Sequence, residues 1–162
     1  IITGGTIDSY YDGSKDTVIP NKKSSIPNFV KSLKLYPKSI VTEVCMKDSR
    51  DLNHGDLKDI LKTIEKSRYR NIIITHGTYT MSDTARYLKA KLKDSEKIVI
   101  LTGSMIPIMG FSPTDAPFNL GFAIAKLQDL KPGIYVCMNG KVFTSDEVAK
   151  IVAEGRFVSI FG

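Results

Sequence analysis

Two short stretches combine hydroxyl side chains with glycine in a pattern suited to acyl transfer. Thr3-Gly4-Gly5-Thr6-Ile7 opens the chain, and His76-Gly77-Thr78-Tyr79-Thr80-Met81 lies near its middle. Paired glycines let backbone N–H groups approach an anionic or carbonyl oxygen closely. A threonine at each of two converging turns could divide covalent catalysis, one hydroxyl attacking a carbonyl and the other assisting the second step. Hydroxyls are weak nucleophiles at neutral pH, so a base must lie within hydrogen-bond reach. Lys150 is a candidate, because a lysine drawn into an apolar cleft gives up its proton closer to neutrality. Alone, the first stretch reads equally as a tight turn or a phosphate cradle. It lacks the Gly-x-Gly-x-x-Gly spacing of a dinucleotide site, and no phosphate-loop Lys with Ser or Thr follows it.

Metal and redox chemistry find little support. His54 and His76 have no ligand spacing around them, and His76 reads as structural. Cys45 and Cys137 stand far apart, each in an apolar run, as free thiols in a reducing compartment would. Neither a metal nor a cofactor is expected. The net charge of +6 is spread among acidic residues without a basic block, which argues against a nucleic-acid partner and for a solvated surface. Apolar runs fall well short of a bilayer span, so no membrane partner is expected either.

The elements that must position these residues alternate in type. Residues 39–45, 71–75, 97–102 and 133–138 are β-branched, nearly continuous apolar runs, as strands buried on both faces should be. Ile1 and Ile2 read as the end of another such strand whose start lies upstream. Between the runs, Leu57, Ile60, Leu61 and Ile64 make one helical stripe, in a helix expected from Asn53 to about Ser67. Ala85, Leu88 and Leu92 make a second, in a helix beginning near Ser82. Residues 118–127 form a third helix, apolar almost all round, expected to pack on the sheet and on a neighbouring subunit. At 162 residues with 42% hydrophobic content, one core is expected, and one domain over residues 1–162. The β-α-β alternation predicts an α/β fold, a three-layer αβα sandwich with a mainly parallel, flavodoxin-like sheet.

Ligands bind such sheets at the carboxyl ends of the strands. The unusual polar segments all follow strand ends: residues 3–8, 46–52, 76–81, 103–109 and 139–150. Residues 9–27 are polar, rich in Gly, Pro, Ser, Lys and Asp, with an Asp12-Gly13 turn signal, and are expected to be a mobile loop over the site.

The two threonine motifs, in this order and spacing, resemble the signatures of the bacterial-type L-asparaginase family, in its short single-domain form. Lys47-Asp48-Ser49-Arg50-Asp51-Leu52 is similar to the family's segment that grips the substrate α-carboxylate. Leu101-Thr102-Gly103-Ser104-Met105 and Asp115-x-x-Phe118-Asn119-Leu120 are similar to the segments that follow. The resemblance covers nearly the whole chain and implies hydrolysis of L-asparagine, or a related amide, to the acid and ammonia. It implies a cytoplasmic homo-oligomer acting on a small molecule without a cofactor. The nucleophile falls on Thr6, and the activating tyrosine on Tyr11, with Tyr10 as its adjacent rival. The second threonine falls on Thr78 and the catalytic lysine on Lys150. Substrate contacts fall on Asp48, Ser49, Arg50, Gly77, the Tyr79 position and Ser104.

One position departs from the family. Its aspartate after the second threonine, which meets the substrate α-ammonium and pairs with the lysine, is Tyr79 here. Losing such a charge-assisted contact removes about 1.5–3 kcal/mol. Three readings follow from the departure: a weakened asparaginase, an enzyme for a substrate lacking the ammonium, or a non-catalytic binder of small amides or amino acids.

Overall fold

The structure, a computed structural model, describes residues 1–93 and 96–162. Strand β1 (Ile2–Gly4) passes through a 3-10 turn (Thr6–Asp8) into β2 (Ser9–Asp12) and β3 (Thr17–Pro20). Helices and strands then alternate through α1 (Ile26–Ser32), β4 (Glu43–Lys47), α2 (His54–Lys66), β5 (Asn71–Thr75), α3 (Met81–Lys91), β6 (Ile98–Thr102), α4 (Ala116–Lys126) and β7 (Gly133–Met138). After β7 come β8 (Lys141–Thr144), β9 (Val148–Ile151) and β10 (Arg156–Ser159).

The central sheet has the order β4-β1-β5-β6-β7-β8, parallel except for β8, which runs antiparallel to β7. Its five parallel strands, numbered by sequence, stand as 2-1-3-4-5, the flavodoxin-like arrangement. Alternation along each strand divides the core. Ile72 and Ile74 of β5, Val99 and Leu101 of β6 and Val136 of β7 face Ile60 and Ile64 of α2 and Ala85 and Leu88 of α3. Ile98 and Ile100 of β6 and Cys137 of β7 point the other way, onto Ala123 of α4. Ile2 of β1 points to that same side, where it clusters with Ile26 of α1. Each large aliphatic side chain so buried contributes about 1.5–3 kcal/mol. Helix α2 starts where it does because Asn53 and Asp56 form a reciprocal capping box, and its Ile60 and Ile64 are fully buried.

The structure changes three expectations. The strand expected over residues 39–45 occupies Glu43–Lys47 instead, paired in parallel with β1 from Ile2↔Glu43 to Gly4↔Lys47. Residues 9–20 form an antiparallel hairpin in which Tyr10 pairs with Ile19 and Tyr11 with Val18. Aromatic and β-branched cross-strand pairs outweigh the polar composition there. Residues 139–150 hold another hairpin turn, with Asn139 and Gly140 at φ 54° and 73°, as the two-residue turn between β7 and β8 requires.

The topological reversal between β1 and β5 is where the two glycine turns meet. A Cβ on Gly5 would stand 2.3 Å from the Gly77 nitrogen and 2.4 Å from its Cα, and Gly5 has φ +79°. The two backbones are therefore in contact, with no room for any side chain. Gly5→Ala is expected to destabilise the fold by about 2 kcal/mol or more. Gly121 in α4 has open space around its Cα, so Gly121→Ala should stabilise by about 0.5–1 kcal/mol. Urea unfolding midpoints of the two variants should shift in opposite directions.

Candidate active site

The carboxyl ends of β1, β4, β5 and β6 converge around the Gly5–Gly77 contact. Thr6 is half-buried and follows Gly5 directly; Thr78 follows Gly77 and is 6% exposed. Adjacent parallel strands with Ile2 opposite Thr75 thus send both threonines out at the same edge. The Thr6 turn is fastened from beneath. The Gly5 N–H donates to the Lys47 carbonyl at 2.8 Å, and the Ser9 hydroxyl donates to the Gly5 carbonyl at 2.8 Å.

Lys150 arrives from the far end of the chain. It lies on β9, opposite Phe157 of β10, and the guanidinium of Arg86 on α3 holds that strand by donating to the Val148 carbonyl at 2.7 Å. Its Nζ lies 2.7 Å from the Thr78 hydroxyl. Burial pushes the lysine's pKa below its ordinary value, and no carboxylate among the described residues counters that shift. A hydroxyl beside a lysine biased towards its neutral form is a nucleophile or proton relay in waiting.

Tyr79 is 55% exposed at the mouth of this cluster. Lys150 Nζ lies 5.3 Å from its ring centroid and the Arg50 guanidinium carbon 5.1 Å, both within cation–π range. Arg50 is held in turn by Asp48, donating from Nε at 3.0 Å and from Nη2 at 2.8 Å. Those donors keep the Asp48 carboxyl below its usual pKa. Ser49 is 3% exposed, and a Cβ on Gly77 would meet its hydroxyl at 2.7 Å, so the β4 and β5 ends are packed as tightly as the β1 end. Thr80 clamps the same contact, its hydroxyl donating to the Ser49 carbonyl at 2.9 Å.

Two residues singled out in the sequence stand apart from this cluster. The Tyr11 hydroxyl donates to Asp16 within its own hairpin, which raises its pKa, and the residue is 52% exposed. Ser104 is fully buried, its hydroxyl donating to the Ile106 carbonyl at 2.5 Å. His76 is fully buried, with Nδ1 2.8 Å from the Gly77 carbonyl and Nε2 3.0 Å from the Thr84 hydroxyl. Burial lowers its pKa to about 4, so it is neutral and braces the Gly77 peptide. Among the described residues, no group of three His, Cys, Asp or Glu side chains could hold a metal ion, and no helix is long and apolar enough to cross a membrane.

Two acids that lie in the quoted segments without an assigned role act as anchors. Asp8 is fully buried and accepts from Asn21 at 3.0 Å, from the Ser25 hydroxyl at 2.7 Å, and from Ser24. It ties the hairpin's return to the Thr6 turn. Asp115 accepts from the Met105 N–H at 2.9 Å and the Asn119 amide at 2.9 Å, holding the Ser104 loop to α4. Asp12 and Asp16 lie nearer in sequence to Asn21, Ser24 and Ser25, so nothing in the sequence singles out Asp8 as their acceptor.

Comparison with known proteins agrees with this architecture. Residues 1–158 match the family model described as Asparaginase, N-terminal. L-asparaginase 2 of Escherichia coli is 30% identical over 158 residues, 93% of this chain and 45% of that protein. L-asparaginase of Thermococcus kodakarensis is 38% identical over 87 residues, 54% of this chain and 26% of that protein. The solved structure of the thermostable T. kodakarensis enzyme superposes with a TM-score of 0.83 at 28% identity, over 98% of this chain and 49% of that one. The chain thus spans about half the length of the relatives it matches or less. With the family model covering residues 1–158, and both threonine turns on the matching fold, the chain belongs to the asparaginase family through its N-terminal region.

Proposed function

We propose that this chain carries the nucleophile of an amidohydrolase that cleaves a small carboxamide to the acid and ammonia, L-asparagine or a close relative being the substrate. The observation that carries the proposal is the 2.7 Å contact between Lys150 Nζ and the Thr78 hydroxyl, made in a partly buried cluster where the lysine has no carboxylate partner among the described residues. The pair lies beside the Thr6 turn, through the Gly5–Gly77 contact.

The chemistry runs in two steps. The Thr6 oxygen attacks the amide carbon, the carbon–nitrogen bond breaks, and the nitrogen leaves as ammonia after taking up the hydroxyl's proton. Water then attacks the resulting ester, activated by the Thr78 hydroxyl with neutral Lys150 as proton acceptor, and frees Thr6 with the acid. Backbone N–H groups of the glycine turns would stabilise the oxyanion. Tyr11 joins this scheme if the β2–β3 hairpin swings inward and its hydroxyl exchanges Asp16 for Thr6. Ser49 and Arg50 would hold the substrate's carboxylate, with Asp48 keeping the guanidinium in place. We further propose a homo-oligomer in the cytoplasm, a compartment that suits two free thiols held protonated by burial.

Thr6→Ala should abolish ammonia release from an amide substrate, in a coupled ammonia assay, while leaving the circular dichroism spectrum unchanged. Lys150→Met should lower kcat by roughly 100-fold or more, the range for losing a general base. Because the working form of Lys150 is neutral, kcat/KM of the unaltered chain should rise with pH as one proton is lost. Burial places that rise below the ordinary lysine range, and Lys150→Met should remove it from the pH profile.

A further inference from the structure

We propose that Tyr79 and Arg50 make this site select carboxylate-bearing amides without an α-ammonium group, the ω-amides of simple dicarboxylic acids. The inference rests on the amidohydrolase reading above and concerns which substrate that site takes.

A substrate whose carbonyl reaches Thr6 and Thr78 places its neighbouring atoms against Tyr79, Lys150 and Arg50. An ammonium there needs a carboxylate or a free aromatic face. The ring of Tyr79 already engages two cations, Lys150 Nζ at 5.3 Å and the Arg50 guanidinium at 5.1 Å. Both oxygens of Asp48 accept from Arg50, at 3.0 and 2.8 Å. Asp51 is exposed, and its field acts on Arg50 and Lys47. Lys150 makes its hydrogen bond to a neutral hydroxyl. An ammonium would therefore enter beside the Arg50 guanidinium, and beside Lys150 whenever that is protonated, at a ring already engaged and with Asp48 already paired.

A carboxylate meets the reverse situation. Arg50 spends two of its side-chain N–H groups on Asp48, out of about five that a guanidinium carries. The remaining ones, with Lys150 when protonated, offer a carboxylate charge-assisted donors. The Tyr79 ring presents an aromatic surface there, which suits the bare methylene that replaces the ammonium-bearing carbon.

Succinamate and L-asparagine differ only in that ammonium group, so they test the proposal as a matched pair. Ammonia release should give a kcat/KM at least about 10-fold higher for succinamate, and Tyr79→Asp should reverse the order. Tyr79 is half exposed, so the variant should fold; Arg50→Gln serves as a second variant and should weaken succinamate more than L-asparagine. Calorimetry on Thr6→Ala separates this proposal from the reading beneath it. Tighter binding of succinamate without turnover by the unaltered chain would support the charge selection and remove the amidohydrolase reading. Turnover with L-asparagine preferred, or a preference that Tyr79→Asp leaves unchanged, would overturn the charge selection and leave the amidohydrolase reading standing. Binding of neither compound would overturn both.

Discussion

The site depends on one backbone contact, the pressing of Gly5 against Gly77 where strand order reverses between β1 and β5. Glycine at position 5 allows the two strand-end turns to come this close, because a Cβ there would sit 2.3 Å from the Gly77 backbone nitrogen. Everything that follows each glycine is then placed by the chain itself. Thr6 and Thr78 leave the same edge of adjacent strands, and neither needs a long side chain or a mobile segment to approach the other. Gly77 is pressed in turn against Ser49, and Gly4 against Lys47, so the ends of three strands form a single close-packed unit. Fully buried, neutral His76 underpins that unit by bracketing the Gly77 carbonyl and the Thr84 hydroxyl.

Electrostatics at this unit differs from that of a generic polar surface patch. The chain has an excess of positive charge, but exposed pairs such as Lys62 with Asp59 contribute little to stability. Lys150 is different because desolvation acts on it without a carboxylate to compensate. Its proton is therefore held more loosely than on a surface lysine, and the Thr78 hydroxyl is the group within reach. Arg50 shows the opposite arrangement, with a fork of donors locked on Asp48, which fixes its position while leaving its charge to the site. Tyr79 lies within reach of both cations.

Most of the sheet was legible in the sequence, because buried parallel strands read as continuous β-branched runs. Asn71–Thr75 and Gly133–Met138 have the expected bounds, and the α2 stripe from Leu57 to Ile64 gives the face that the helix buries. Less visible were elements whose existence depends on a partner. β4 pairs with β1 over Glu43–Lys47, and the β2–β3 hairpin is held by cross-strand pairs that composition conceals. The Asn139-Gly140 turn was a local signal of a hairpin and could have been read as one. For the candidate site, the glycine and threonine motifs marked strand ends that meet in the fold, and the structure brings Thr6, Thr78, Lys150, Asp48, Ser49, Arg50 and Tyr79 into one neighbourhood. The engagement of Tyr11 on Asp16 and of Ser104 on Ile106 was not legible, since each is a contact made by a local turn. Nor could the sequence reveal that Asp8 is an internal anchor for the Thr6 turn.

The most direct test of the account is to trap the covalent intermediate and locate it. Rapid acid quench during turnover of an amide substrate, followed by trypsin digestion and mass spectrometry, separates residues 1–15 from residues 71–86. The account predicts an acyl adduct on the first peptide, at Thr6, and none on the second. An adduct on Thr78, or turnover that proceeds with no acylated peptide at any quench time, would contradict it.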